Sequence, residues 1–281
     1  MEPIRIQPEI PKPPSGSPIG RALRATLIER RLPYQLGVQL DRLMLRLNHP
    51  HKTIRHRDYT IRLRRLSPHE IVVKEVLGQN EYALPGFEIG LEDCVVDVGG
   101  NIGTFALWAA RQARRGRIYS FEPVLENFKL LQENLKLNRI ANVTPMRGAV
   151  MGQSGTVRIL TRELANARLA GTGVSSPSEP GEEVDAYTLS EIFEMNGIDR
   201  CHYLKLDCEG AEYDILAKLP SETAERIDRV VMEYHARRPE TKIDDARELL
   251  DHLQAKGFTI ERWTDTLGYN TGHIWARRAR P

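Results

Sequence analysis

The sequence predicts an α/β fold with a doubly wound, mostly parallel sheet of seven strands and a helical extension at the N-terminus. After Leu91, short apolar strand signals alternate with amphipathic helix signals, which is typical of parallel strands joined by crossover helices. A glycine-rich turn follows the first buried strand, and two strands without an intervening helix close the chain. With 281 residues, 41% of them hydrophobic, the chain can bury the core that such a sheet requires.

The N-terminal segment differs from the rest of the chain in charge. Residues 1–65 contain 14 Lys and Arg against 5 Asp and Glu, a net charge of +9, and residues 66–281 contain 26 against 33, a net charge of −7. We therefore predict a tail and basic helical extension over 1–65 and a main domain over 66–281. Residues 1–18 contain six prolines, which predicts a flexible or extended tail.

Helical periodicity runs through residues 20–48, and Pro33 is expected to separate two helices. One face carries leucines at helical spacing: Leu36, Leu40, Leu43 and Leu47. The first interpretation is a helical cap packed on the main domain with its arginines outward, and the second is a helix that binds a membrane surface or a partner. Residues 53–65 alternate apolar and charged side chains, which predicts a half-exposed strand or hairpin.

The elements of the main domain follow from local patterns. The predicted strands cover 94–98, 117–121, 143–147, 202–207 and 229–235, with 258–263 and 272–278 as a closing antiparallel pair at one edge. The predicted helices cover 103–113, 124–138, 210–219 and 243–256. A hairpin is predicted over 148–162 and a loop that covers a site over 163–183, and TLSE at 188–191 is a capping box that predicts a short helix.

The turn after the first predicted strand has the character of a nucleoside-binding turn. Its sequence places Asp97 at the strand end and Gly99, Asn101 and Gly103 before the helix. A strand, a glycine turn and a helix N-terminus in this order place a ligand over the carboxyl end of the sheet. The glycines indicate that the backbone approaches another group closely. The spacing is not the G-x-G-x-x-G of dinucleotide-binding sites, so the turn indicates a different ligand.

Two further positions complete the predicted cofactor site. Glu122 ends the second strand, nineteen residues after Gly103, where a carboxylate can accept both hydroxyl hydrogens of an adenosine ribose. An enzyme that binds NAD would use the same acid, so the glycine turn is the feature that discriminates between the two cofactors. Ala149 directly follows the third strand and is predicted to form a wall for the adenine.

Together these segments resemble the FkbM-type methyltransferases over about residues 70–278. The acidic-x-G-x-x-x-G turn resembles the first motif of class I methyltransferases, and the run LKLDCEGAE at 204–212 is the most specific segment. The resemblance implies a Rossmann-like class I fold, S-adenosylmethionine as cofactor, and methylation of a hydroxyl on a small molecule, natural product or sugar. Gly100 stands where the family commonly has alanine, and residues 1–65 have no counterpart.

The chemistry of methyl transfer requires mainly that an acceptor oxygen be held in line behind the methyl group and lose its proton. Side chains at the predicted carboxyl ends of strands are the candidates: Asp207, Glu209, Glu212, Glu233 and His235. We predict catalytic roles for Asp207, His235 and Glu209. The alternatives are that Asp207 only pairs with Lys205, that Glu209 stabilises a helix N-terminus, and that His235 is a surface histidine.

Metal binding is the remaining question about the site. Asp207, Glu209 and Glu233 offer oxygen ligands for a divalent cation, but no paired Asp-Asn signature accompanies them. We predict no metal.

Composition also bears on location and partners. No apolar run approaches the roughly 18 residues that span a bilayer, and the three cysteines show neither metal-ligand nor disulfide spacing, which predicts a cytoplasmic protein. Nucleic acid is not the expected partner, because Tyr59 alone is available in the basic hairpin to stack on a base. An RNA or protein acceptor, a non-catalytic cofactor-binding module and a homodimer through the N-terminal helices remain alternatives.

Overall fold

The computed structural model describes residues 34–79, 81–160, 168–169, 181–266 and 270–278. The tail predicted for residues 1–18 and the first N-terminal helix lie outside these residues. Most of the loop predicted over 163–183 lies outside them as well.

Four elements precede the main sheet: α1 (Tyr34–Arg46), β1 (His51–His56), β2 (Tyr59–Arg64) and α2 (His69–Gly78). The predicted hairpin is confirmed, since β1 and β2 pair antiparallel. Its buried side chains, such as Ile61, belong to one hydrophobic cluster with Phe105 and Leu131 of the main domain. The hairpin therefore packs on the main sheet layer, and the domain boundary after residue 65 stays a prediction.

Helix α1 turns its leucine face outward. Leu36, Leu40, Leu43 and Leu47 are 45–58% exposed. The helix is instead attached by Asp41, which is 5% exposed and pairs with Lys52 and Arg65 at 2.5 Å each. No described residue covers the leucines, so the interpretation of a cap packed through this face is wrong for the described part of the chain.

The remaining elements follow in chain order. They are β3 (Cys94–Val98), α3 (Thr104–Gln112), β4 (Arg117–Glu122), α4 (Leu125–Leu137), β5 (Val143–Arg147), β6 (Ala149–Val150), β7 (Gly155–Leu160), β8 (Arg168–Leu169), β9 (Gly181–Tyr187), α5 (Leu189–Met195), β10 (Tyr203–Leu206), α6 (Glu212–Lys218), α7 (Ser221–Glu225), β11 (Arg229–His235), α8 (Lys242–Ala255), β12 (Phe258–Asp265) and β13 (Thr271–Arg278).

The main sheet has seven strands in the order β12-β13-β11-β10-β3-β4-β5. The five strands β3, β4, β5, β10 and β11 run parallel, and β12 and β13 form the antiparallel pair that the sequence predicts at one edge. Alternate residues of β3 enter different clusters, Val95 on one face and Val96 on the other, so both faces are covered. The doubly wound sheet is confirmed.

The chain reverses its direction of winding between β3 and β10. From β3 it proceeds to β4 and β5 on one side, and β10 and β11 are added on the other. Open α/β sheets bind their ligands at the carboxyl ends of strands at such a switch point.

A second sheet of four strands has the order β6-β9-β7-β8. The hairpin predicted over 148–162 is wrong, because β6 and β7 do not pair with each other and both pair with β9. The capping box is confirmed at α5, where Thr188 Oγ1 accepts from Glu191 N at 3.2 Å and Glu191 Oε2 accepts from Thr188 N at 2.8 Å. Within the described ranges, no helix combines the length and apolar character needed to cross a membrane.

Candidate active site

The turn between β3 and α3 crosses the backbone of β10 at very short range. Gly99 (φ +80°), Asn101 (φ +49°) and Gly103 (φ +88°) all have left-handed backbone. A Cβ on Gly99 would lie 1.7 Å from the carbonyl oxygen of Asp207, and one on Gly103 would lie 3.2 Å from Cγ of Leu131. The close approach inferred from the glycines is therefore to other parts of the protein. It brings the ends of β3 and β10 together at the switch point.

A buried lysine joins two carboxylates beneath this turn. Lys205 Nζ lies 3.2 Å from Asp97 Oδ1 and 3.4 Å from Asp207 Oδ2, and it donates to Gly99 O at 2.7 Å. Burial disfavours the charge on Lys205, but the two carboxylates outweigh burial and raise its pKa above the ordinary value. Ser120 Oγ donates to the other oxygen of Asp97 at 2.6 Å. Asp97 thus contacts Lys205 and Ser120 beneath the turn.

A cavity of about 590 Å³ opens at the carboxyl ends of the parallel strands, which is within the range of small-molecule sites. Seven of the residues predicted from the sequence line it: Gly99, Asn101, Glu122, Ala149, Asp207, Glu209 and His235. Asp97 and Gly103 are not among the lining residues. These two residues lie beneath the turn or within it and shape it without lining the cavity.

Glu122 lines the cavity at the end of β4. It is 4% exposed, and its carboxylate accepts from the backbone of Asn101 at 2.7 Å and of Val124 at 2.9 Å. Burial raises the pKa of Glu122 to about 7, although both backbone hydrogen bonds and a hydrogen bond with the Asn127 side chain act in the opposite direction. Asn101 Oδ1 is buried with no hydrogen-bond partner among the described residues. The carboxylate and this amide oxygen make the corner rich in acceptors, which suits a ligand that donates hydroxyl hydrogens.

Asp207 lines the same cavity at the tip of β10, beside the glycine turn. Tyr82 Oη donates to its Oδ2 at 3.1 Å. Burial acts to raise the pKa of Asp207, but the nearby Lys205 and His235 outweigh it and lower the pKa below its ordinary value. Asp207 is therefore a carboxylate at neutral pH, and its side chain is 26% exposed at the cavity.

His235, at the end of β11, is held at both ring nitrogens. Its Nδ1 lies 3.1 Å from Glu212 Oε1 and its Nε2 lies 3.6 Å from Glu209 Oε2. Burial acts to lower the pKa of His235, but Glu212 and then Glu209 raise it well above 6.5. The two carboxylates therefore favour the protonated ring, and both ring nitrogens already face acceptors. This geometry disfavours the general-base role that the sequence suggests for His235.

Sequence reasoning missed four side chains that also line the cavity: Glu75, Glu81, Tyr82 and His273. Glu233 was named only as a secondary candidate, and it lies directly opposite His273 in the β11–β13 pairing. Burial, and to a lesser extent the negative charge of Asp207, raises the pKa of Glu233 to about 7. Burial, and then the negative charge of Glu81, likewise raises the pKa of Glu75 to about 7. The register between β11 and β13 is the signal that could have identified Glu233 and His273 as neighbours. The sequence predicts the two strands, but it does not predict which of their residues lie opposite each other.

Two groups of these side chains have the spacing of metal ligands: Glu81, Glu233 and His273, and Asp207, Glu233 and His235. In each group the ligand atoms lie within 4.8 Å of one another. The sequence-based prediction of no metal considered neither group.

Comparison with known proteins gives the same assignment as the motifs. The family model of the methyltransferase FkbM domain matches residues 97–260. The 31-O-demethyl-FK506 methyltransferase FkbM of Streptomyces tacrolimicus is 26% identical over 240 residues, covering 74% of this chain and 90% of that protein. The AMB antimetabolite synthetase AmbE of Pseudomonas aeruginosa is 25% identical over 252 residues, covering 77% of this chain but 12% of AmbE. Among solved structures, the fibrillarin pre-rRNA processing protein of Methanococcus jannaschii aligns with a TM-score of 0.48 and 14% identity, over 81% of this chain and 82% of that one.

Proposed function

The chain belongs to the methyltransferase FkbM family, and from this premise we propose that it methylates a hydroxyl group of a small molecule, natural product or sugar. The family and the class I fold make it a methyltransferase that uses S-adenosylmethionine. One observation supports the proposal: a single cavity is lined both by the buried carboxylate of Glu122 and by a group of ionisable side chains around Asp207. The FkbM relative named for an O-demethyl substrate supports a hydroxyl acceptor.

We assign the cofactor to the end of the cavity near the glycine turn. Glu122 would accept hydrogen bonds from the ribose hydroxyls, Asn101 would offer its unpartnered Oδ1, and Ala149 would contact the adenine. Gly99 leaves its backbone open along the cavity wall. When bound, S-adenosylmethionine supplies an electrophilic methyl group on a sulfonium.

Asp207 is the residue we assign to the acceptor hydroxyl. Its carboxylate lies at the tip of β10 beside the turn, and Lys205 and Tyr82 hold it in place. Bound S-adenosylmethionine would supply the methyl group and keep the electron pair of the broken carbon–sulfur bond, and Asp207 would accept the proton that the acceptor hydroxyl loses. Holding the acceptor in line can supply about 7–11 kcal/mol of the rate enhancement. Glu209 and His235, paired at 3.6 Å, line the same cavity, and the charge of His235 helps to keep Asp207 ionised.

The proposal is tested by methyl transfer from labelled S-adenosylmethionine to small-molecule extracts of the source organism. We expect labelled methyl ethers, identified by mass spectrometry and NMR, and labelled methyl esters would point to a carboxylate acceptor instead. Asp207→Asn should reduce turnover, whereas Asp244→Asn, at an exposed position of α8, should leave it unchanged. Label found only on nitrogen, on RNA or on protein would contradict the hydroxyl acceptor. Cofactor binding without any labelled product would support the non-catalytic alternative.

A further inference from the structure

We propose that Glu81, Glu233 and His273 form a binding site for a divalent transition-metal ion at the acceptor end of the cavity. We further propose that the bound ion holds the acceptor hydroxyl, a step that rests on the function proposed above. The three side chains come from separate elements: Glu81 from the segment after α2, Glu233 from β11 and His273 from β13.

The distances within this group are those of metal ligands. One carboxylate oxygen from each glutamate and one ring nitrogen of His273 lie within 4.8 Å of one another. His273 Nε2 approaches Glu81 Oε1 at 3.3 Å. Ligand atoms that bind one ion at about 2.0–2.2 Å are about 3 Å apart when they are neighbours. The observed separation therefore lets both atoms reach a common ion with small side-chain adjustments.

The ring of His273 is buried and oriented. It is 8% exposed, and its Nε2 is buried without a hydrogen bond of good geometry to any described residue. The ring stacks on Trp275 at 5.5 Å and meets the edge of Tyr82 at 6.0 Å. The buried ring nitrogen therefore faces the Glu81 carboxylate without a well-directed hydrogen bond, and an ion shared between the two would satisfy both.

Acidic side chains predominate around the group. Glu75 and Asp207 line the same cavity as the three proposed ligands. Lys205 is already shared between Asp97 and Asp207, and His235 pairs with Glu212 and Glu209. Carboxylate oxygens so close together suit a dication, which would bind Glu81, Glu233 and His273 in their deprotonated forms.

The second group, Asp207, Glu233 and His235, has less free ligand capacity. His235 has Glu212 on one ring nitrogen and Glu209 near the other. Asp207 already accepts from Tyr82 and pairs with Lys205. The geometry therefore favours the group that contains His273 as the metal site. Asp207 then remains available beside it to accept the proton of the acceptor hydroxyl.

One imidazole and two carboxylates make a mixed nitrogen and oxygen ligand set. Such a set suits Zn²⁺ or Mn²⁺ better than Mg²⁺ or Ca²⁺, which prefer oxygen ligands alone. Three protein ligands leave coordination positions open, and an ion there would bind the acceptor oxygen and lower the pKa of its hydroxyl. Because the proton would then leave more readily, Asp207 would be a sufficient acceptor for it.

The test is direct metal binding to the metal-free chain, with neither methyl donor nor acceptor present. Isothermal titration with Zn²⁺, and electron paramagnetic resonance with Mn²⁺, should each show one ion per chain that excess Mg²⁺ does not displace. Outer-sphere partners of metal ligands change affinity by about 10–100-fold, so loss of a direct ligand in Glu81→Gln or His273→Gln should cost about 100-fold or more. His252→Gln, which removes a half-buried histidine of α8 away from the cavity, is the matched control and should bind normally.

Glu81→Gln is the decisive variant because Glu81 is 23% exposed and its substitution leaves the core intact. Unchanged thermal unfolding and S-adenosylmethionine binding confirm that the variants fold. Absence of stoichiometric binding in the wild type, or equal binding by wild type and Glu81→Gln, overturns the metal site. Loss of binding in His235→Gln but not in Glu81→Gln overturns this choice of ligands. Metal binding as expected, with no methylated hydroxyl product, leaves the site intact and overturns the proposed function instead.

Discussion

Glu122 Oε2 accepts a hydrogen bond from the backbone N–H of Asn101 at 2.7 Å, so the carboxylate at the end of β4 fixes the turn that follows β3. Glu122 thus has two functions in one position. It stabilises the left-handed backbone of Asn101, and it presents its remaining lone pairs to the cavity. Two neighbouring strands of the sheet therefore form one half of the proposed cofactor site together.

Removal of this carboxylate should weaken cofactor binding. We predict that Glu122→Ala raises the dissociation constant for S-adenosylmethionine by about 5- to 150-fold, equivalent to about 1–3 kcal/mol of lost hydrogen bonding. Isothermal titration at pH 8 measures this change. Glu222→Ala, at an exposed position of α7, is the control and should bind as the wild type does. Equal affinities for Glu122→Ala and the wild type would remove Glu122 from the site.

The same carboxylate should make cofactor affinity depend on pH. Because burial raises the pKa of Glu122 to about 7, the side chain is ionised above pH 7 and becomes protonated as the pH falls below it. Protonation removes acceptor capacity for the ribose, so we predict that affinity falls by up to about tenfold per pH unit below 7. Titrations of the wild type and of Glu122→Gln between pH 5.5 and 8.5 test this. Parallel profiles for the two proteins would exclude Glu122 as the titrating group.

The crossing of the turn with β10 predicts a large effect of adding one methyl group. Gly99→Ala would place a Cβ 1.7 Å from a backbone oxygen on a residue with φ +80°, so we expect it to lower the free energy of unfolding by about 4 kcal/mol or more. Gly197→Ala also requires a left-handed residue (φ +59°) but meets no atom within 4 Å, so it should cost only about 1–2 kcal/mol. Urea unfolding of both variants measures the two free-energy losses. The difference between them separates the cost of the steric clash from the cost of placing alanine in a left-handed conformation. Similar losses in the two would mean that the turn can move away from β10.

A buried histidine should reduce stability in acid. His69 is fully buried, and burial followed by the charge of Arg64 lowers its pKa from 6.5 to about 3. Between these values the unfolded chain binds a proton that the folded chain excludes, so the stability this group contributes is complete above pH 6.5 and is lost as the pH falls towards 3. The expected slope is about 1.4 kcal/mol per pH unit.

His69→Gln should remove that slope. The difference in unfolding free energy between wild type and variant, measured by urea denaturation from pH 4 to 8, should shrink as the pH falls. A constant difference across this range would show that His69 is protonated equally in the folded and unfolded chains.

The sheet could be predicted because its signals are local. The apolar strand runs, the glycine turn and the TLSE capping box each lie within a few residues, and the strands and helices of the main domain are confirmed within a few residues. Strand β9 was missed because Glu182, Glu183 and Asp185 occupy its more exposed positions and only Val184 and Ala186 are buried. Its partners β6 and β7 lie about 30 residues earlier, so their pairing leaves no local pattern.

The same distinction applies to the candidate site. Glu122 and Asn101 belong to motifs with fixed spacing, and both line the cavity as predicted. Glu81 and His273 are separated by almost the whole main domain, and they meet only because β13 pairs with β11 while the segment after α2 packs across it. Helix α2 itself was not predicted, since it begins after Pro68 without a capping side chain.

The contact between Gly99 and the peptide carbonyl of Asp207 has a practical meaning for protein engineers. Residues 97–103 and 205–207 are interlocked and should be transplanted or preserved as a single block, because altering either part displaces the other. Libraries that aim to change acceptor preference are better directed at the opposite rim of the cavity, where side chains of α2 can be exchanged without disturbing that block.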